Sequence, residues 1–74
     1  MTNEMIRFIR QTRGLTLREF AATVGCSYSY ISLIESGDRR VTPRLERKIR
    51  QAFDLSDEKL IAIRAVMNEV KTVM

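Results

Sequence analysis

Apolar positions recur along this chain at spacings of three and four, the spacing that puts them on one side of a helix. In residues 3–13, Ile6, Ile9 and Arg13 form a stripe that Met5 and Phe8 widen; Thr2 or Asn3 can cap its start, and Gly14 ends it. From Leu17 to Val24 the inward positions are Phe20, Ala21 and Val24, with Ala21 small enough for the next helix to approach closely. A third run, Tyr28 to Ser36, buries Ile31 and Ile34 and leaves Tyr28, Ser29, Ser32 and Leu33 on other faces. The fourth, Pro43 to Phe53, carries Leu45, Ile49 and Phe53 on one side and Arg44, Arg47, Lys48 and Arg50 on the other. A fifth extends from Asp57 to about Val73. No stretch has the period-two alternation of a strand, so the expected fold is all-α, a compact five-helix domain with an extended C-terminal helix.

The boundaries between these runs are marked as firmly as their interiors. Thr16 and Glu19 make a capping box, in which each side chain satisfies a backbone N–H left open at the helix start. Ser27 is placed to cap the third run, Thr42-Pro43 the fourth and Ser56 the fifth. Between the second and third runs, Gly25 supplies the left-handed residue that ends one helix sharply and launches the next. Two short helices joined by so brief a turn form a helix-turn-helix, which can expose one helix while the other supports it.

Composition narrows the options. A chain of 74 residues with 45% apolar and 30% charged side chains is one small folded domain. No apolar run approaches the roughly 20 residues of a membrane span, and MTNEMIRFIR lacks the apolar core of a signal peptide, so the expected location is the cytoplasm. The single Cys26 excludes an internal disulfide, and without His there is no ordinary zinc site, so no metal or cofactor is expected. Cys26 reads as a small half-buried hydrophobe. The net charge of +4 lies entirely in residues 1–56, which hold ten basic and six acidic side chains against three of each in 57–74. A basic surface can be mere solvation; together with a helix-turn-helix it favours a polyanionic partner.

The residues from Ile6 to Gly37 resemble the phage repressor and Cro type of helix-turn-helix, also called the XRE family. The resemblance rests on Arg10, Gly14-Leu15-Thr16, Glu19-Phe20-Ala21, Val24-Gly25, Ser27, Tyr30-Ile31-Ser32, Ile34-Glu35 and Gly37, at spacings that need no gap, and continues to Leu55. It implies a helix-turn-helix DNA-binding domain over residues 1–56 that binds double-stranded DNA as a homodimer, with the third helix in the major groove. Carried over position by position, the base-reading residues are Ser27, Tyr28, Ser29, Ser32 and Leu33. Leu33 is equally readable as a packing residue at the rim of the core. Phosphate anchors fall on Thr16, Ser36, Arg39, Arg40, Thr42 and Arg44, and Arg10 with Glu35 matches an ion pair that ties the first helix to the third. The sequence departs from the family pattern at Leu17, where a phosphate-contacting Gln is usual, at Leu33, often long and polar, and at Phe8, usually polar.

The extension over residues 57–74 offers a cover for Phe8. Leu60, Ile63, Met67, Val70 and Met74 repeat at three and four, the seam of a short coiled coil. One reading folds this stripe back over Phe8 and Met5; the other sets it against the same helix of a second chain, as a dimer interface. Ile61, Val66 and Val73 broaden the apolar surface enough for both uses. The leading functional expectation is a transcriptional regulator, a small repressor of a phage or another mobile element on a palindromic operator, with a protein antirepressor as a possible further partner. The alternative is a protein-interaction module, an antirepressor or antitoxin-type partner, that keeps the helix-turn-helix fold with weak or no DNA binding. An enzyme is disfavoured: there is no His, no Gly-rich phosphate loop and no paired carboxylate in an expected cleft, and no small-molecule substrate is evident.

Overall fold

A computed structural model of the chain describes the backbone of residues 1–73 and the side chains of residues 1–69. Within it the chain forms five helices: α1 (Asn3–Thr12), α2 (Leu17–Val24), α3 (Tyr28–Ser36), α4 (Pro43–Ala52) and α5 (Asp57–Val73). Thr2, Thr16, Ser27 and Thr42 are the N-caps, each hydroxyl oxygen accepting from a backbone N–H three residues on. Ser56 accepts from the Lys59 amide at 3.3 Å in the same way. The capping box at Thr16 is complete, with the Glu19 amide donating to Thr16 Oγ1 at 3.1 Å and the Thr16 amide to Glu19 Oε1 at 2.9 Å.

One core serves all the helices. Ile6, Ile9, Phe20, Ile31, Ile34 and Ile49 are fully enclosed, and Met5, Ala21, Val24, Leu45, Phe53 and Leu55 complete the buried apolar set among the described residues. The Phe20 and Phe53 rings stack at 5.3 Å between centroids, joining α2 to the end of α4. The principal contacts of α3 are with α1 and α2, while α4 packs on α2 and α5 on α1.

Two helix ends fall one residue short of the sequence expectation. Arg13 and Phe53 are C-caps of α1 and α4, not their last turns. Arg13 is also exposed, not part of the buried stripe with Ile6 and Ile9. Its guanidinium lies over the Phe53 ring at 5.2 Å and donates to the Phe53 carbonyl at 3.3 Å, so it closes the edge of the core from outside.

The turn between α2 and α3 depends on Gly25, whose φ of 84° lies in the left-handed region. A Cβ there would meet no atom within 4 Å, so the glycine serves backbone conformation alone. Gly25→Ala is therefore expected to cost about 1 kcal/mol, lowering Tm by roughly 4–8 °C in a domain of this size, as measured by thermal denaturation.

Candidate nucleic-acid interface

The orientation of α3 is set by one buried carboxylate. Glu35 is 5% exposed on the inner side of α3, and Arg10 of α1 meets it with two bonds, Nε to Oε2 at 2.8 Å and Nη2 to Oε1 at 3.1 Å. The third arm of Arg10 donates to the Leu15 carbonyl at 3.0 Å, tying the α1–α2 corner to the same point. Arg7 adds a longer bond to Glu35 Oε1 at 3.4 Å and one to the Glu35 carbonyl at 3.0 Å, where Asn3 Nδ2 also donates at 3.4 Å. The hydrogen bond to Glu35 raises the Arg10 pKa, burial opposes it, and the charge attraction adds to the rise. Among the described residues every buried side-chain N and O atom is bonded, so the ion pair is enclosed without an orphaned donor.

This fixture leaves the first turn of α3 and the side carrying Ser29 and Leu33 in the open. Tyr28 is 42% and Leu33 37% exposed, Ser27 and Ser29 are exposed, and Ser32 is half-buried. Ser27 commits an oxygen lone pair to the Tyr30 amide at 3.2 Å and keeps its proton for another acceptor. The Leu33 side chain therefore lies on the surface beside the helix rim. Its carbonyl accepts from the amides of Asp38 at 3.0 Å and Arg39 at 3.2 Å, which fixes the turn carrying Arg39 and Arg40.

The residues expected at phosphates divide by what their polar atoms already do. Arg39, Arg40 and Arg44 are all exposed. Arg39 and Arg40 border a shallow cleft with Thr2, Asn3 and Gly37. A second cleft, about 260 Å³, gathers Ser27, Thr42 and Arg44 with Tyr30 and Lys48, so the starts of α3 and α4 share one basic surface. Thr42 and Thr16 use their oxygens for capping, which leaves each hydroxyl proton available. The Thr16 amide, however, is occupied by Glu19. That bond, followed by the Thr16 hydroxyl contact, holds the exposed Glu19 carboxyl below its usual pKa. Ser36 is the most encumbered of the six, its single proton lying between Asp38 Oδ2, 2.8 Å from the Ser36 oxygen, and the Leu33 carbonyl at 3.0 Å. A phosphate at Ser36 would have to displace, and face, the Asp38 carboxylate.

The proposed seam of α5 turns inward. Leu60, Ile63 and Met67 are half-buried against the domain's own core, and α5 lines an apolar groove with Phe8 through Ala62, Ile63 and Val66. The fold-back arrangement thus exists in the single chain, while Ile61 and Val66 remain 68% and 46% exposed. Val70 and Met74 lie outside the described side chains.

Four residues take part that the sequence had not placed at the site. Asn3 and Arg7 join the Glu35 fixture; Arg7 lies three residues before Arg10, so helical spacing alone could have suggested it. Tyr30 and Lys48 line one cleft from two different helices, a juxtaposition that no local spacing signals. Among the described residues, no group of three or more His, Cys, Asp or Glu is placed to hold a metal ion. No described helix is long and apolar enough to cross a membrane.

Comparison with known proteins agrees with this geometry. Searches of curated proteins and of solved structures each returned no significant match. A family model described as helix-turn-helix matches residues 6–60, from the middle of α1 into α5, and so spans the capped pair α2–α3 together with the Arg10–Glu35 fixture. A domain of this kind is consistent with a DNA-binding regulatory role. With well over half of its length matched, the chain belongs to the helix-turn-helix family.

Proposed function

We propose that this chain is a sequence-specific double-stranded-DNA-binding transcriptional regulator of the phage repressor and Cro (XRE) kind. In this reading it acts in the cytoplasm, at the nucleoid, as a small repressor of a phage or mobile element. The observation that carries the reading is α3 itself: the buried Glu35 fixture anchors its inner side, and its outer side is exposed, uncharged and followed by three exposed arginines. A B-DNA major groove admits one helix and displays a distinct donor and acceptor pattern for each base pair. Tyr28, Ser27, Ser29 and Ser32 would hydrogen-bond base edges, Leu33 would pack on a thymine methyl, and Arg39, Arg40, Arg44, Thr16, Thr42 and Ser36 would hold phosphates.

A homodimer would set two copies of α3 roughly 34 Å apart on one face of a palindromic operator. We place its interface on α5. Because Leu60, Ile63 and Met67 already lean on the core, a partner would meet them at their outer edges together with the exposed Ile61 and Val66. The same exposed residues, with Leu33, favour the second reading, a protein-interaction module that keeps the fold and binds a protein partner such as an antirepressor.

Selection of bound sites from random duplex DNA separates the two. The expected result is an enriched site with two inverted half-sites about one helical turn apart, bound by two chains as measured by sedimentation. Absence of enrichment, together with absence of binding to random duplex at low salt, would sink the regulator reading in favour of the protein-interaction one.

A further inference from the structure

The helix-turn-helix contains one interhelical contact that its core does not require. Arg18, on the exposed side of α2, lays its guanidinium over the ring of Tyr28 in the first turn of α3, 4.7 Å from the ring centroid. Both residues are exposed, so the stack is not a by-product of burial. A cation is attracted to the negative face of an aromatic ring, and Arg suits this contact because its plane lies flat on the ring while its N–H donors radiate from the edge. A guanidinium lying flat on a ring engages its face and leaves its hydrogen-bonding edge open. Among the described residues no carboxylate forms an ion pair with Arg18; its neighbour Glu19 is turned back onto the Thr16 amide.

We propose that Arg18 is a DNA-contacting residue, held ready by the Tyr28 ring so that its N–H edge meets a pair of acceptor oxygens or nitrogens on the duplex. This rests on the DNA-binding reading above. The position is suitable because the N-terminal residues of a recognition helix are the ones that reach base edges, and Tyr28 begins α3. A long flexible side chain ordinarily loses rotamer freedom on binding; one already laid on a ring loses less. Two acceptor pairs fit the edge, the O6 and N7 of guanine and two oxygens of a phosphate, and both accept two parallel N–H bonds. Tyr28 accordingly has a second role beyond any hydrogen bond from its hydroxyl, as the platform that aims a charge supplied by the supporting helix.

The test compares full-length unmodified protein, Arg18→Ala, Arg18→Lys, Tyr28→Phe, Tyr28→Leu and the two combinations of Arg18→Ala with a Tyr28 change. Two probes are used: a random-sequence duplex, and duplexes recovered by selection with the unmodified chain, both titrated by fluorescence anisotropy over a salt series. Since both side chains are exposed, the variants should melt close to the unmodified protein, which circular dichroism checks. Arg18→Ala is expected to weaken binding about tenfold, and Arg18→Lys to recover only part of that loss. The loss should persist in the Tyr28→Phe background, which keeps the ring, and shrink below about twofold in the Tyr28→Leu background, which removes it. Loss confined to selected duplexes, with one guanine position relaxed on reselection, assigns the acceptors to a base. Equal loss on both probes, with the salt slope reduced by about 0.9, assigns them to a phosphate. An Arg18→Ala protein that binds like the unmodified one overturns the proposal while leaving DNA binding intact, and an undiminished loss in the Tyr28→Leu background overturns the platform role. If the unmodified chain binds neither probe at low salt, the DNA-binding reading falls, and this proposal with it.

Discussion

Replacing Glu35 by alanine is expected to lower stability by about 3 kcal/mol, which in a domain of this size lowers Tm by roughly 12–24 °C. The cost comes chiefly from what remains. Arg10 is 17% exposed, and loss of Glu35 leaves its charge largely enclosed with only the Leu15 carbonyl as partner. Arg7, 51% exposed, can return to water and adds little. The partial exposure of Arg10 places the figure at the lower end of the range for broken buried pairs. Thermal denaturation followed by circular dichroism measures it, and a fall of only a few degrees would show that Glu35 is not the fixture described. The paired change Arg10→Met with Glu35→Leu should recover most of the loss, because it removes both charges together. High salt should do little to mask the single variant, since an enclosed pair is weakly screened.

The second large effect concerns affinity. Arg39, Arg40 and Arg44 replaced together by alanine are expected to weaken binding to random duplex roughly 500-fold at 0.1 M salt, and to reduce the salt slope by about 2.7, if each neutralises one phosphate. All three are exposed, so the variant should melt near the unmodified protein. Equilibrium titration across a salt series checks both quantities. An unchanged slope would exclude these arginines as phosphate anchors, and a slope reduced by about 0.9 would leave only one of the three in contact.

The two experiments bear on different parts of one device. Glu35 determines how α3 is presented, and in the proposed reading the arginines determine how strongly the surface around it attracts a polyanion. The serines and Tyr28 along α3 carry the sequence preference in our reading, and Arg18 extends that face onto α2. In that reading the uncharged side chains of α3 leave the electrostatic contribution to the turn after Gly37 and the start of α4.

The path of the chain was legible residue by residue because its determinants are local. Thr16 with Glu19, Ser27, Thr42-Pro43 and Gly25 each act within one helical turn, and the apolar spacing that buries Phe20, Ile31 and Ile49 is a property of single helices. The five helices and their order needed nothing more. Arg10 and Glu35 could be paired only through a resemblance, since nothing local links side chains 25 residues apart. Tertiary packing supplied the rest. It moved Arg13 from the expected core stripe onto the Phe53 ring, because an end-of-helix guanidinium can cover an aromatic edge while staying in water. It enlisted Arg7 and Asn3 around Glu35, and it engaged the proton of Ser36 within its own turn. It turned Leu60, Ile63 and Met67 onto the domain, where a three-four repeat read alone fits a second chain equally well. It also set the Arg18 guanidinium over the Tyr28 ring, a contact between two helices whose relative rotation no local spacing encodes. Caps and periodicity fix which face of a helix is apolar; only the mutual packing of helices decides what that face, and the polar one beside it, will touch.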